Sequence, residues 1–189
     1  MIEVLQNIDD SLLTWINGVA RHPWLDWFFI NLTDLHKQPI AIVVGLVLLF
    51  GFTFRKFHVQ MWRMFLALIL AVAVTDLICY RVLKKLIDRS RPFENLHESV
   101  EQLAAATGNG FPSNHAANCF AAAVVLSNFF PRSRYLFYIL AALIAYSRLY
   151  LGVHYPSDVL VGALLGFGVG NLVSSFNVFK CKPWSQTCG

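Results

Sequence analysis

The run Val159–Phe179, VLVGALLGFGVGNLVSSFNVF, carries no charge anywhere along its length. A helix needs about 20 apolar residues to cross a bilayer, and this run supplies them without borrowing from its neighbours. Gly162, Gly166, Gly168 and Gly170 recur inside it. In lipid such small residues let a second helix pack closely. The same character repeats up the chain. Gln38–Phe54 is charge-free and flanked by Arg55 and Lys56. Met64–Tyr80 is apolar apart from Asp76, with a helix expected to continue to about Asp88. Ala116–Pro131 is charge-free, and Tyr135–Ser147 is short but can borrow residues at both ends.

The composition agrees with these runs. The chain is 57% hydrophobic and only 14% charged, whereas soluble domains carry about 25% charged residues. The expected fold class is therefore all-α, a polytopic membrane helical bundle with five transmembrane helices. Its 189 residues suit one domain. Within 1–189 the segments are N-terminal interfacial helices (1–37), a transmembrane bundle (38–179) and a cytoplasmic tail (180–189).

Residues 1–37 read differently from the rest. Leu12, Leu13, Trp15, Ile16 and Val19 share one helical side, with Asp9, Asp10 and Arg21 nearby. Trp24–Asp34 is apolar but short, and tryptophans favour the headgroup layer. Two helices lying on or dipping into the membrane surface are expected. The alternative is a sixth span through residues 24–34.

Five spans place 55–63, 131–134 and the tail on one side. That side holds Arg55, Lys56, Arg63, Arg132, Arg134, Lys180 and Lys182 and no acidic residue. Positive loops stay in the cytoplasm, so 1–37, 81–112 and 148–158 face outward. The net charge of +4 thus concerns topology, and no nucleic-acid-binding pattern accompanies it. The N-terminus starts acidic without a basic region, so no cleavable signal peptide is expected. Cys79, Cys119, Cys181 and Cys188 lack zinc-site spacing.

Three clusters fall on the outward side. Lys84 and Arg91 lie two helical turns apart, about 10 Å if the helix persists, and Pro92 helps to end it. Next comes GNGFPSNHA, Gly108–Ala116, in which Pro112 and Ser113 open a helix with Ser113 as N-cap and His115 on the first turn. A helix start offers free N–H groups that suit an anion. The third cluster holds Arg148, His154, Pro156 and Asp158, with Asp158 four residues after His154. Each cation alone is an ordinary membrane-edge residue. A lone interfacial histidine is more often a hydrogen-bonded core residue, and His-x3-Asp by itself is a weak signal. Three cations, two histidines and a carboxylate on one side are harder to read as coincidence. Fixed cations match phosphoryl charge. One imidazole can attack phosphorus while a carboxylate holds its other N–H, and a second can protonate the departing oxygen.

These motifs resemble the type 2 phosphatidic acid phosphatase superfamily, which includes vanadium haloperoxidases and glucose-6-phosphatase. The family pattern K-x6-R-P, P-S-G-H, S-R-x5-H-x3-D reads here as Lys84…Arg91-Pro92, Pro112-Ser113-Asn114-His115 and Ser147-Arg148…His154…Asp158. The resemblance covers roughly residues 38–176. It implies that His154 is the nucleophile, that Asp158 orients it, and that His115 is general acid and then base. It also implies that Lys84, Arg91 and Arg148 hold phosphoryl oxygens, helped by Ser113 and the backbone at Asn114 and His115. No metal or other cofactor is implied. The one departure is Asn114 in place of glycine, which bears on substrate shape more than on reaction type.

Of the remaining residues, Asp76 is an intramembrane carboxylate that needs a partner, near the site or within the bundle. His22, His36 and His58 read as interfacial bystanders. His97 lies in the 93–111 loop, which could cover the pocket or touch a headgroup. Glu94, Glu98 and Glu101 are spaced like a solvated helical face. The expected protein is an outward-facing phosphatase of the bacterial inner membrane. Its substrate is a lipid phosphate or pyrophosphate: undecaprenyl pyrophosphate first, then phosphatidylglycerol phosphate, lipid A 1-phosphate or phosphatidic acid. The rival readings are a lipid phosphotransferase and a non-catalytic lipid-phosphate binding or transport protein.

Overall fold

The computed structural model describes residues 2–19, 21–33, 58–96 and 98–179. The expected span Gln38–Phe54, the tail 180–189, and the imidazoles of His36, His58 and His97 lie outside the described residues. The described residues form helices and no strands. They are α1 (Ile2–Val19), α2 (Pro23–Thr33), α3 (His58–Leu77), α4 (Asn114–Phe129), α5 (Arg134–Tyr150) and α6 (Pro156–Ser175). Helix α3 runs on through a π-helical stretch, Ile78–Leu83, to a last α turn at Lys84–Leu86. A single turn, Pro92–Asn95, lies in the following loop.

Two helical stretches among the described residues are long and apolar enough to cross a membrane: Gln60–Leu86 and Pro156–Ser175. The expected spans at 116–131 and 135–147 form α4 and α5, of 16 and 17 residues. At 1.5 Å per residue each is about 25 Å long, somewhat short of a hydrocarbon core of about 30 Å.

Side-chain size is distributed inside out. Where α3, α4 and α6 meet, the core is Met64, Ala67, Ala71, Ala121, Val125, Phe129, Val169 and Val173. The exposed faces carry Trp62, Leu66, Ile69, Leu136, Ile139, Leu160, Leu164 and Leu172. A water-soluble bundle would bury its large residues. In lipid nothing drives leucine inward, so close contact between small residues holds helices together. Helix α6 supplies the tightest such contact. A Cβ on Gly162, Gly166 or Gly170 would stand 2.4, 1.9 or 2.8 Å from the carbonyl oxygens of Ser113, Ala117 and Ala121. Gly168, expected to share this role, has nothing within 4 Å. Residue 168 is two positions from Gly166, on a different face of the helix from the 162–166–170 stripe.

Consecutive bundle helices alternate in direction. The end of α3, the start of α4, the end of α5 and the start of α6 converge at one end, where α1 and α2 also pack. The apolar side read for α1 is in fact two sides. Leu13 and Ile16 are buried with Asp9 and Asn17, whereas Leu12, Trp15 and Val19 are exposed beside Val4, Leu5 and Ile8. Successive residues lie about 100° apart on a helix, so Leu12 and Leu13 diverge. Asn17 ties the buried face down. Its amide donates to the carbonyls of Tyr150 (2.8 Å) and Glu101 (3.1 Å), and its oxygen accepts from the Glu101 N–H (2.8 Å). Gly152, at φ +69°, lets Glu101 pass; a Cβ there would meet the Glu101 carbonyl at 2.5 Å.

The three glutamates do not share a helix. The turn at Pro92 ends at Asn95, Glu94 accepts from the Arg91 N–H, Glu98 is exposed, and Glu101 pairs with Arg21. No cluster of metal-ligating side chains occurs among the described residues.

Candidate active site

Lys84 and Arg91 do not lie along one helix. Helix geometry stops at Leu86 and Ile87 is extended (φ −119°, ψ 92°), so the chain has left the helix well before Pro92. Arg91 is reached by the returning loop, itself extended at φ −80°, ψ 157° as a residue before proline prefers. Both cations then grip the glycine loop. Lys84 Nζ donates to the Asn109 carbonyl (2.5 Å). Arg91 Nε donates to the Gly108 carbonyl (2.7 Å), and Nη2 to that of Thr107 (3.0 Å). Gly108 makes this bend at φ +66°, a left-handed conformation that glycine adopts freely.

Arg91 Nη1 donates to the Val153 carbonyl (2.9 Å) and lies 3.4 Å from His154 Nε2. The other ring nitrogen of His154, Nδ1, faces Asp158 Oδ2 at 3.7 Å, an ion-pair distance rather than a hydrogen bond. The imidazole therefore has a carboxylate on one side and a guanidinium on the other. His154 precedes α6, and Asp158 is fully buried on its first turn. Pro156 opens that helix as expected. The Asp158 carboxylate folds back to accept from the Tyr155 N–H (2.9 Å), the reciprocal half of a capping box. That fold-back, rather than helical i, i+4 spacing, brings it to His154. Burial pushes the His154 pKa down to about 4; Asp158 opposes the shift, and the Arg91 and Arg148 charges reinforce it. The ring is neutral at pH 7.

Ser113 takes the N-cap position of α4, but its side chain makes no capping bond, and its Oγ is buried without a partner. Its N–H donates to the Asp158 carbonyl (3.0 Å), which joins the starts of α4 and α6. His115, half-buried, stands on the first turn of α4. Arg148, buried at the end of α5, is steadied by Thr33 of α2, whose hydroxyl lies 2.6 Å from Nη1. Asn114 Nδ2 donates to Asp76 Oδ1 (2.9 Å), as does Asn118 Nδ2 (2.9 Å). The intramembrane carboxylate thus has amide partners from α4 rather than a cation.

One residue of this end was not singled out in the sequence. Arg89 lies between Asp158 and α1, over the Tyr155 ring at 4.1 Å. Its neighbours Gln6 and Ser157 are new as well, and Asp9, noted in the sequence only beside the apolar side of α1, is its second carboxylate. Arg89 sits two positions before Arg91 in a run of cations, and no local spacing connects it to residue 9. Asp26 of α2 adds a further tie, accepting from the Tyr150 hydroxyl (2.5 Å).

Residues 60–180 match the family model described as the PAP2 superfamily. A lipid A 4′-phosphatase of Bacteroides thetaiotaomicron is 34% identical over 200 residues, covering 99% of this chain and 84% of that protein. The crystal structure of Aquifex aeolicus LpxE matches with a TM-score of 0.67 at 32% identity, covering 88% of this chain and 94% of that one. A transmembrane PAP2-type phosphatidylglycerolphosphate phosphatase from Bacillus subtilis matches with a TM-score of 0.65 at 25% identity, covering 90% of this chain and 85% of that one.

Proposed function

The chain belongs to the PAP2 superfamily of membrane lipid phosphatases, and on that premise we propose how its site works and on what. The carrying observation is the placement of His154, with Nδ1 toward Asp158 and Nε2 toward Arg91. A carboxylate beside Nδ1 keeps the proton there and leaves the Nε2 lone pair free to attack. A phosphorus atom at Nε2 has its oxygens beside Arg91. His154 Nε2 bonds to phosphorus as the phosphorus–oxygen bond to the lipid breaks, and His115 gives its proton to the departing oxygen. His115 then takes a proton from water, which attacks phosphorus, breaks the N–P bond and releases inorganic phosphate. Lys84, Arg91 and Arg148 offset charge on the phosphoryl oxygens, with the Ser113 hydroxyl and the N–H groups of Asn114 and His115 as further donors.

The substrate is a phosphorylated lipid of the bacterial envelope. Likeness over nearly the whole chain to a lipid A 4′-phosphatase puts a lipid A phosphate ahead of undecaprenyl pyrophosphate, with phosphatidylglycerol phosphate and phosphatidic acid behind. Residues 1–189 act as one domain with five spans, of which α3, α4, α5 and α6 fall within the described residues. The exposed apolar stripe of α1, Val4, Ile8, Leu12, Trp15 and Val19, rests in the outer headgroup layer. The site faces the periplasm or cell exterior. An impermeant thiol reagent should reach Cys181 and Cys188 only after lysis; labelling of intact cells inverts this orientation.

Phosphate release by the purified protein across these four lipids, with His154→Ala as control, tests the reading. Release by the wild type and none by the variant supports it. Equal release by both refutes His154 as nucleophile, and phosphate recovered on a second lipid rather than free converts hydrolysis into transfer.

A further inference from the structure

Each terminal nitrogen of Arg89 carries two N–H groups, and the structure supplies four acceptors. Nη1 donates to Asp158 Oδ1 and Ser157 Oγ, and Nη2 to Asp9 Oδ2 and Gln6 Oε1, all at 2.7 Å. The outer edge of the guanidinium is saturated, which removes it from competition for phosphate and fits it for holding other groups. Asp9 is 5% exposed. Besides Arg89 it accepts from the Ser157 N–H (2.9 Å) and the Ser157 hydroxyl, so it also sits at the positive end of α6.

The signs of these charges matter. Arg89 bonded to Asp158 alone would make a neutral pair, and His154 would face a carboxylate already cancelled. With Asp9 on the far side, the triad of two carboxylates and one guanidinium carries a net negative charge. We propose that Arg89 and Asp9 are positioning residues. Arg89 fixes Asp158 Oδ1 so that Oδ2 stays turned to His154, and Asp9 on α1 restores the negative charge that Arg89 would otherwise remove from the dyad. The N-terminal surface helix is thereby part of the catalytic electrostatics. This inference rests on the reading of His154 as nucleophile.

The other charged groups at this end are shared by every variant below. Arg91 and Arg148 act on His154, and Asp158 faces it from α6. Lys84 acts on Arg91 and Asp158, Glu94 on Arg91, and Asp10 and Arg89 on Tyr155. His115 stands on the first turn of α4. Removing the positive charge of Arg89 favours a protonated His154, whereas removing the negative charge of Asp9 disfavours it. A purely structural role for the two residues predicts no such opposition.

The experiment measures kcat against pH for the full chain in detergent, with short-chain phosphatidic acid as the probe. Variants are Arg89→Gln, Arg89→Lys, Asp9→Asn and His154→Gln, each checked for thermal unfolding. The acid limb should move up by about half a pH unit or more in Arg89→Gln and down by a similar amount in Asp9→Asn. In Arg89→Lys, which keeps the charge, it should stay within about 0.2 unit of wild type. KM should change less than about threefold throughout, because neither residue touches phosphate. Limbs that do not move, or that move the same way in Arg89→Gln and Asp9→Asn, overturn the inference while an inactive His154→Gln leaves the parent reading intact. An active His154→Gln overturns both. Should Arg89→Gln not fold, Asp9→Asn against Arg89→Lys still decides the sign.

Discussion

Replacing Gly166 by alanine adds a single methyl group two helical turns from Asp158, on the α6 face that meets α4. That methyl would start 1.9 Å from the Ala117 carbonyl oxygen, 2.7 Å from its carbonyl carbon and 3.0 Å from its Cα. All three are helix backbone, so no rotamer change relieves the clash. Reaching an ordinary contact of 3.4 Å requires the helices to part by about 1.5 Å. Overpacking of this kind costs ~1–3 kcal/mol, a fall in Tm of roughly 3–10 °C for a chain of this size. The larger effect is expected on the reaction. His115 rides on α4 and Asp158 on α6, and the Ser113 N–H to Asp158 carbonyl bond of 3.0 Å joins their starts. A misplacement of about 1 Å between reacting groups costs ~100-fold in rate. Phosphate release and thermal unfolding of Gly166→Ala, with Gly168→Ala as control, are the assays. Gly168 opens onto free space, so its variant should keep wild-type activity and an equal or higher Tm. The packing argument is refuted if Gly166→Ala keeps kcat within threefold and Tm within about 2 °C of wild type.

Three further outcomes are expected. His154 holds its neutral form to about pH 4 when folded and titrates near 6.5 when unfolded. The unfolded chain thus binds the extra proton between these values, and stability is full above pH 6.5 and falls as pH drops toward 4, by roughly 3 kcal/mol. Thermal unfolding against pH should show that slope in the wild type and a shallower one in His154→Gln. Asp76→Asn keeps an oxygen that can accept from Asn114 or Asn118, whereas Asp76→Leu strands both amides in the bundle; the leucine variant should melt lower by several degrees and the asparagine variant much less. Phosphate release should survive EDTA, because Lys84, Arg91 and Arg148 supply the positive charge; loss on chelation with recovery on added Mg²⁺ contradicts the cation-only mechanism.

Much of the fold and site was legible because the information is local. A charge-free run of 21 residues reads as a helix from its own composition, and its four glycines as packing residues, of which Gly162, Gly166 and Gly170 meet α4 and Gly168 does not. Within each motif, Lys84 to Arg91 and His154 to Asp158 keep spacings that the eye can test. What escaped depends on chain geometry between elements. The sequence carries the helix to about Asp88 and leaves Lys84 and Arg91 two turns apart only if it persists, whereas the chain leaves helix geometry after Leu86. Asp9 and Thr33 drew no role from the sequence because a burying partner at position 89 or 148 leaves no trace at position 9 or 33. The division of the α1 apolar side into a buried and an exposed face depends on what the helix lies against. Asn114 turned toward Asp76 for the same reason: the partner lies on another helix.

The tie between Asp9 and its partners has a consequence for how the molecule is made. Asp9 leaves the ribosome first among them, yet it meets Arg89 across 80 positions of sequence and Ser157 across 148. Synthesis must therefore reach α6 before Asp9 has both partners and before Arg89 has both carboxylates. A nascent chain that stops before α6 holds His154 but lacks Asp158, the carboxylate proposed to orient its imidazole. The contact between α1 and the start of α6 therefore joins segments made far apart in time, and the carboxylate pair around Arg89 is complete only once both are present.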